Sequence, residues 1–323
     1  MDMELIKRIF ITILFCSFMN CTCMARNNVV FTIDNNYPVY TLLTINSILL
    51  NNKSKSEYTF WIVENNISNI NKKIMKNFVN SRHQKINFIN INTNNIDDGK
   101  NLYKATPWSG HVTRIGTARL YIPELLDKES KALYLDSDLL VISDLNELYQ
   151  TDISGYGVAL CKDTIERYRK KIQYTGPTYY NSGVILMNLD YLRKMNATQK
   201  MINYIKNNNL FYPDQDSINT VLRKHIKPLN QKWNNQTSEL GHPFVSIKNG
   251  GIIHYIGSVK PWNVQPNLTH EVRLYYNYWD KTLLRIYQIR RYSTVFNYYN
   301  NFCETLIDNI YTKIQTFIKT NFS

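Results

Sequence analysis

Residues 133–141 read Leu133-Tyr134-Leu135-Asp136-Ser137-Asp138-Leu139-Leu140-Val141, an apolar run that would form a buried strand but for two carboxylates set one residue apart. Few folds tolerate that pattern. Burying two unpaired carboxylates is costly, so either the run opens into a solvated turn or a cation compensates both charges. Two carboxylates separated by one residue at a strand end can address one hard cation, which takes oxygen ligands. An Asp-Xaa-Asp triplet in polar surroundings is an ordinary turn; apolar residues on both sides favour the cation here.

The flanking sequence predicts the frame that holds this triplet. Val29-Val30-Phe31-Thr32-Ile33 is a β-branched run that stops at Asp34-Asn35-Asn36, a polar cluster typical of a strand end. A helix is expected over 40–50, a strand over 58–63, a helix from an N-cap at Ser68 toward Arg82, and a strand over 85–91. Strand, helix, strand, helix, strand is the signature of parallel sheet construction. Beyond a polar connection, 117–121 reads as helical. Further strands are expected over 132–135, 157–161, 184–187 and 251–256, with helices over 190–207 and 216–224. With 323 residues and 44% hydrophobic content the chain can bury one large α/β core with an appendage, and it carries no internal repeat or Gly/Ser linker.

The two ends differ from this core. Lys7 and Arg8 precede the apolar stretch 9–18, and Cys23-Met24-Ala25 is a tolerable cleavage site, so residues 1–25 are expected to be a signal peptide or a signal-anchor. The first implies export or a secretory lumen with membrane association; the second places the chain at the cytoplasmic membrane face. Three of the five cysteines fall in this segment, leaving Cys161 and Cys303 and no disulfide framework. Residues 263–323 form a basic, aromatic C-terminal extension in which Phe302, Leu306, Ile310, Ile314 and Ile318 recur every fourth residue, the pattern of an amphipathic helix. Two packings remain open for it, against the domain's own core or on an anionic membrane surface. The net charge of +13 favours anionic partners, and the absence of helix-turn-helix, zinc-finger or RNA-recognition signatures argues against nucleic acid.

A second constellation is His254-Tyr255-Ile256-Gly257-Ser258-Val259-Lys260-Pro261-Trp262. The imidazole at a strand end offers a nitrogen ligand to the same cation, Gly257 lets backbone approach a phosphate, and Lys260 can neutralise one. Mixed carboxylate and imidazole ligation suits Mn2+, and Mg2+ is also compatible. The predicted metal ligands are therefore Asp136, Asp138 and His254.

Together with residues 31–37, 117–121, Asn181-Ser182-Gly183-Val184 and Asp214-Gln215-Asp216, these stretches resemble glycosyltransferase family 8, the group that contains bacterial lipopolysaccharide galactosyl- and glucosyltransferases and glycogenin. They occur in the family's order across most of residues 29–262. The resemblance implies a GT-A fold, a mixed, mostly parallel sheet flanked by helices, over residues 26–262. It implies a retaining transfer of galactose or glucose from a UDP-sugar to a glycan, lipid-linked or protein acceptor. On the same ground Asp34, Asn36 and Tyr37 would meet the uridine, and Arg119 the diphosphate or donor sugar. Asn181 and Asp214 would read the donor hexose, and Gln215 would stand close to its anomeric carbon. Where the family often shows a second Asp, this chain has Asn35. Read without the resemblance, Asp34 to Asn36 is an Asx-capped turn, Arg119 a surface ion-pair partner and Asp214 a helix N-cap. Two other functions compete: a catalytically silent nucleotide-sugar binding protein, and a glycoside hydrolase using the paired carboxylates without a metal.

Overall fold

A computed structural model describes residues 26–91, 114–164, 174–237, 250–257, 259–264, 269–279 and 283. The leader at 1–25 and the predicted helix through Phe302 and Ile318 lie outside the described residues. The first half follows the predicted alternation. Strand β1 (Asn27–Asp34) leads to helix α1 (Pro38–Leu50), β2 (Tyr58–Asn65), α2 (Asn69–Asn80) and β3 (Lys85–Asn90). Ser68 caps α2 as expected, its hydroxyl accepting from the Asn71 N–H. The segment around Arg119 is helical but broken: α3 (Arg114–Thr117), a 3-10 turn (Ala118–Tyr121) and α4 (Ile122–Leu125).

The predicted run 132–142 divides between two sheets. Strand β4 (Lys131–Leu135) pairs beside β1, whereas β5 (Leu139–Val141) leaves for a second sheet, and the two aspartates occupy the bend between them. Helix α5 (Asn146–Tyr149), β6 (Val158–Leu160) and β7 (Val184–Asn188) follow. The single helix expected over 190–207 is two, α6 (Leu189–Lys194) and α7 (Ala197–Asn207), because Asn196 adopts φ 52 and ψ 48 between them. Asparagine tolerates this left-handed conformation better than most residues, so the apolar periodicity runs through a break it does not signal. Helix α8 (Pro213–Val221), β8 (Ile226–Pro228), β9 (Asn235–Gln236), β10 (Ile252–His254) and α9 (His270–Asn277) complete the order.

The larger sheet runs β3-β2-β1-β4-β7-β6-β8 and is mostly parallel, with β7 antiparallel to both neighbours. Along β1, Val29, Phe31 and Ile33 enter one core with α1, α2 and the second sheet, while Val30 enters another with 115–126, α6 and α7. Both faces are covered, which is why the strand reads as a continuous apolar run. Full burial of side chains such as Phe31 and Leu133 contributes roughly 1.5 to 3 kcal/mol each.

The smaller sheet runs β5-β10-β9, with Leu139 opposite His254 and His254 beside Gln236. Helix α1 clamps the bend between the sheets with a stripe of hydroxyls. Thr41 Oγ1 meets Ser137 Oγ at 2.9 Å, Thr44 Oγ1 donates to Leu139 O at 2.9 Å, and Ser47 Oγ accepts from Val141 N at 3.0 Å. Of residues 263–323, the described part packs on the domain. Val272, Tyr275 and Leu283 are buried, and Tyr255 Oη donates to Glu271 O at 2.7 Å. Among the described residues no helix is long and apolar enough to cross a membrane.

Candidate active site

Sheet order places the functional side chains. β1 is followed in sequence by its neighbour on one side and flanked by β4 on the other, and the crevice beyond the carboxyl ends of such strands is where open α/β sheets bind ligands. Asp34 ends β1 and Asp136 follows β4. Leu135 pairs with Val184, and Asp136 N donates to Gly183 O at 2.9 Å, so the start of β7 lies against the first aspartate. Tyr255 N donates to Asp138 O at 3.0 Å, which sets His254 against the second.

Asp136, Asp138 and His254 therefore converge from two sheets, with one ligand atom of each within 4.8 Å of the others. His254 Nε2 stands 3.3 Å from Asp138 Oδ1 and 3.8 Å from Asp136 Oδ2. His254 Nδ1 lies 2.9 Å from Asn234 Oδ1. Asp138 Oδ1 is buried and accepts no well-formed hydrogen bond. A buried carboxylate oxygen left in that state beside a ring nitrogen and a second carboxylate is what a divalent cation would satisfy, and the O,O,N donor set fits Mn2+ or Mg2+. Burial alone would raise the Asp138 carboxyl, but the Lys260 ammonium and His254 overcome it and hold the group well below the usual carboxylate range. Lys260 Nζ donates to Asp138 Oδ2 at 2.5 Å and to Tyr255 O at 2.7 Å.

Gly183 touches this cluster. A Cβ there would come 2.2 Å from His254 Cε1 and 2.9 Å from Asp136 Oδ2. Tyr134 Oη donates to Asp136 Oδ1 at 2.5 Å.

Arg119, Asp214, Asn181 and Gln215 link to the triad directly or through shared partners. Arg119 is buried and aimed at protein groups. Its Nε reaches Gly116 O at 2.8 Å and Asp214 Oδ2 at 3.1 Å, Nη1 donates to Ser182 O at 2.9 Å, and Nη2 pairs with Asp136 Oδ1 at 3.2 Å. Desolvation opposes its charge, but Asp136, Tyr134 and Asp214 more than compensate and raise its pKa. The guanidinium thus braces Asp136 and Asp214, and does so as a buried network rather than a surface ion pair. Asp214 sits in the first turn of α8, where a carboxylate suits the helix dipole. Gln215 Oε1 accepts from Ser182 N at 2.9 Å, and its Nε2 donates to Asp163 Oδ2 at 3.1 Å. Asn181 Oδ1 accepts from Gly183 N at 2.9 Å.

At the end of β1, Asp34 Oδ1 accepts from Asn36 N at 2.7 Å, an Asx turn that leaves Asp34 and Asn36 at the surface. Asn35 Oδ1 accepts from Ser68 N at 3.0 Å and Asn71 Nδ2 at 2.8 Å, tying the turn to α2. The Tyr37 ring meets Trp262 edge-on at 6.4 Å, and Tyr40 stacks on Trp262 at 4.0 Å. Burial, then the charges of Asp138, Asp34 and Asp136, push the Tyr37 hydroxyl up to about 12. Gly257 has φ +84, a backbone that a side chain would strain. Asp163, Asn234 and Tyr134 belong to the site and were not anticipated from the sequence.

Asp216, next to Gln215, anchors the start of α8. Its Oδ2 accepts from Phe211 N at 3.0 Å and Tyr212 N at 2.9 Å, and Tyr179 donates to Oδ1. Burial raises this carboxyl from 3.8 to about 6 against those hydrogen bonds. A folded pKa above the unfolded one means the folded state binds the proton more tightly. Stability is therefore fully present below pH 3.8 and is lost as pH rises to about 6. Asp216→Asn keeps an acceptor for the two N–H groups without the charge. Relative to wild type it should gain on the order of 2 to 3 kcal/mol across that window, read by urea denaturation at a series of pH values.

With this geometry in hand, the comparisons are consistent. The sequence model described as glycosyl transferase family 8 matches residues 28–265. General stress protein A of Bacillus subtilis is 29% identical over 276 residues, covering 79% of this chain and 93% of that protein. A putative glycosyltransferase of Haemophilus influenzae is 32% identical over 214 residues, 64% of this chain and 62% of its own length. A lipopolysaccharide 1,2-glucosyltransferase of Escherichia coli is 27% identical over 256 residues, 73% of each. Among solved structures, the galactosyltransferase LgtC in complex with donor and acceptor sugar analogues superposes with a TM-score of 0.63 at 23% identity, covering 78% of this chain and 94% of that one. That likeness makes the fold GT-A. Because the family match runs from the first residues of β1 through the His254 to Trp262 stretch, the chain belongs to glycosyltransferase family 8.

Proposed function

We propose that the chain transfers galactose or glucose from a UDP-sugar to a hydroxyl of a saccharide-bearing acceptor, with retention at the anomeric carbon. The observation that carries this reading is the orphaned Asp138 Oδ1 facing His254 Nε2 at 3.3 Å, beside Asp136 and within reach of Lys260. Asp136, Asp138 and His254 would hold the divalent cation. When bound, it supplies Lewis-acid relief for negative charge on a departing diphosphate. Lys260 adds a positive charge at the same rim, and the φ of Gly257 lets backbone N–H groups face phosphate oxygens.

The donor's two ends are assigned to the two sides of the triad. Tyr37 offers a ring face for the uracil, and Asp34 an acceptor for its imide hydrogen, with Asn36 holding the turn. Asn181, Asp214 and Gln215 face the hexose, where amides and carboxylates read hydroxyls by hydrogen bonding. In the transfer the anomeric C–O bond to the diphosphate breaks and a bond to the acceptor oxygen forms on the same face. The acceptor proton passes to the departing phosphate oxygen, so UDP leaves. Gln215, its carbonyl held by Ser182 N–H, stays an amide that positions the sugar rather than a nucleophile. The names of the relatives favour this reading, since one is a lipopolysaccharide 1,2-glucosyltransferase and another was solved with donor and acceptor sugar analogues.

The test is release of UDP from a panel of UDP-sugars by the full-length chain with Mn2+ or Mg2+. Release from UDP-galactose or UDP-glucose, stopped by a chelator, is the expected result. UDP binding without release from any sugar would replace this reading with a silent binder. Turnover of a simple glycoside without nucleotide or metal would replace it with a hydrolase.

A further inference from the structure

We infer that Asn234 is a positioning residue that fixes the tautomer of His254 and so keeps its Nε2 lone pair facing the two aspartates. Nothing in the chemistry proposed above uses Asn234, yet it is fully buried at the point where the 3-10 turn Gln231–Asn234 enters β9. Its amide spans two site residues: Nδ2 donates to Asn181 Oδ1 at 2.8 Å, and Oδ1 lies 2.9 Å from His254 Nδ1.

The direction of that chain is set at its far end. Asp163 carries a carboxylate, which only accepts, and Asn181 Nδ2 points to its Oδ2 at 3.3 Å. Asn181 Oδ1 is thereby turned the other way, where the Gly183 N–H also holds it at 2.9 Å. An oxygen so placed requires a donor from Asn234, so the Asn234 Nδ2 must face Asn181 and its Oδ1 must face His254. A carbonyl oxygen at 2.9 Å in turn requires a proton on His254 Nδ1. In a neutral imidazole the other nitrogen then carries the lone pair. That nitrogen, Nε2, is the one 3.3 Å from Asp138 Oδ1 and 3.8 Å from Asp136 Oδ2.

The opposite polarity fails at both ends. Reversing the Asn234 amide would set its oxygen against Asn181 Oδ1 and its NH2 against His254 Nδ1. The ring proton would move to Nε2 and point into the space between the aspartates, where it would hydrogen-bond Asp138 and exclude a cation. Partners of this kind, behind a ligating histidine, typically account for about 10- to 100-fold in metal affinity. The proposal rests on the reading of Asp136, Asp138 and His254 as metal ligands, and the experiment separates the two.

Mn2+ binding to the full-length chain is measured by electron paramagnetic resonance of the free ion, for wild type, Asn234→Leu and Asn234→Asp, with a thermal melt of each. Imidazole 15N shifts of metal-free wild type are recorded at alkaline pH. Leucine keeps the branched shape, is somewhat bulkier and lacks the acceptor, and should weaken Mn2+ binding about 10- to 100-fold. Aspartate still accepts from Nδ1 but loses the donor to Asn181 Oδ1, and should bind Mn2+ more tightly than the leucine variant. The His254 signals should carry the proton on Nδ1. A folded Asn234→Leu variant with wild-type affinity, or a wild-type His254 protonated on Nε2 alone, overturns the assignment. Wild type that takes up no Mn2+ would overturn the metal-site reading instead, while the 15N pattern still decides the tautomer.

Discussion

Asp138→Ala is expected to abolish cation-dependent release of UDP, lowering it by at least about 10^3, or about 4 kcal/mol of barrier, the scale seen when a preorganised group that meets developing charge is removed. The size follows from what Asp138 does at once. It would supply one of three ligand atoms to a cation, and its other oxygen holds Lys260 Nζ at 2.5 Å. Both partners are mostly buried, so deleting the carboxylate also strands an ammonium, at a cost of several kcal/mol of stability. The two losses are separable. Asp138→Ala combined with Lys260→Ala should recover much of the melting temperature and none of the activity. Recovery of UDP release in the double variant would mean that the triad is a structural ion network. Retained Mn2+ affinity in Asp138→Ala would remove it from the ligand set.

Legibility in the sequence followed how sharply each element departs from its surroundings. The first strand stands out because its β-branched run ends at Asp34 to Asn36, and α2 because Ser68 caps it, while α1 starts at Pro38 rather than near Tyr40 and β2 runs on to Asn65. Asp136 and Asp138 stand out because carboxylates rarely interrupt an apolar run. Asn234 and Asp163 did not, since in so Asn-rich a chain one more buried asparagine carries no local signal, and both join the site through contacts far apart in sequence. Thr41, Thr44 and Ser47 were readable in principle. Three hydroxyls at helical spacing on the buried α1 need partners: Thr41 and Thr44 find them at Ser137 and Leu139, and Ser47 accepts from Val141 N. The break at Asn196 was not, because the residue that makes it is helix-compatible elsewhere in the chain. Arg119 was named through the family resemblance, and its neighbours show a brace between Asp136 and Asp214, a role that only the third dimension assigns.

Gly183→Ala tests that three-dimensional content with a single methyl group. Residue 183 precedes β7, and Asp136 N donates to its carbonyl, so its backbone is fixed by the same pairing that places the first aspartate. Its conformation is not the constraint; the space is. A Cβ would stand 2.2 Å from His254 Cε1 and 2.8 Å from Nδ1, well inside contact distance, and that same Nδ1 is held by Asn234 Oδ1. The ring cannot retreat without breaking that hydrogen bond, and it is only 3% exposed, so it has no solvent to turn into. Overpacking of this kind costs about 1 to 3 kcal/mol of stability, but the larger effect is on geometry, where a shift of about 1 Å in a positioned group costs on the order of 10^2 in rate. Gly183→Ala should therefore lower UDP release about 100-fold and weaken Mn2+ binding, with a melting temperature reduced by only a few degrees. Gly116→Ala is the matched control: its Cβ would meet Arg119 Nη2 at 3.5 Å, ordinary contact, and activity should persist. Equal behaviour of the two variants would mean that His254 and Asp136 do not need the spacing that the bare backbone of Gly183 allows.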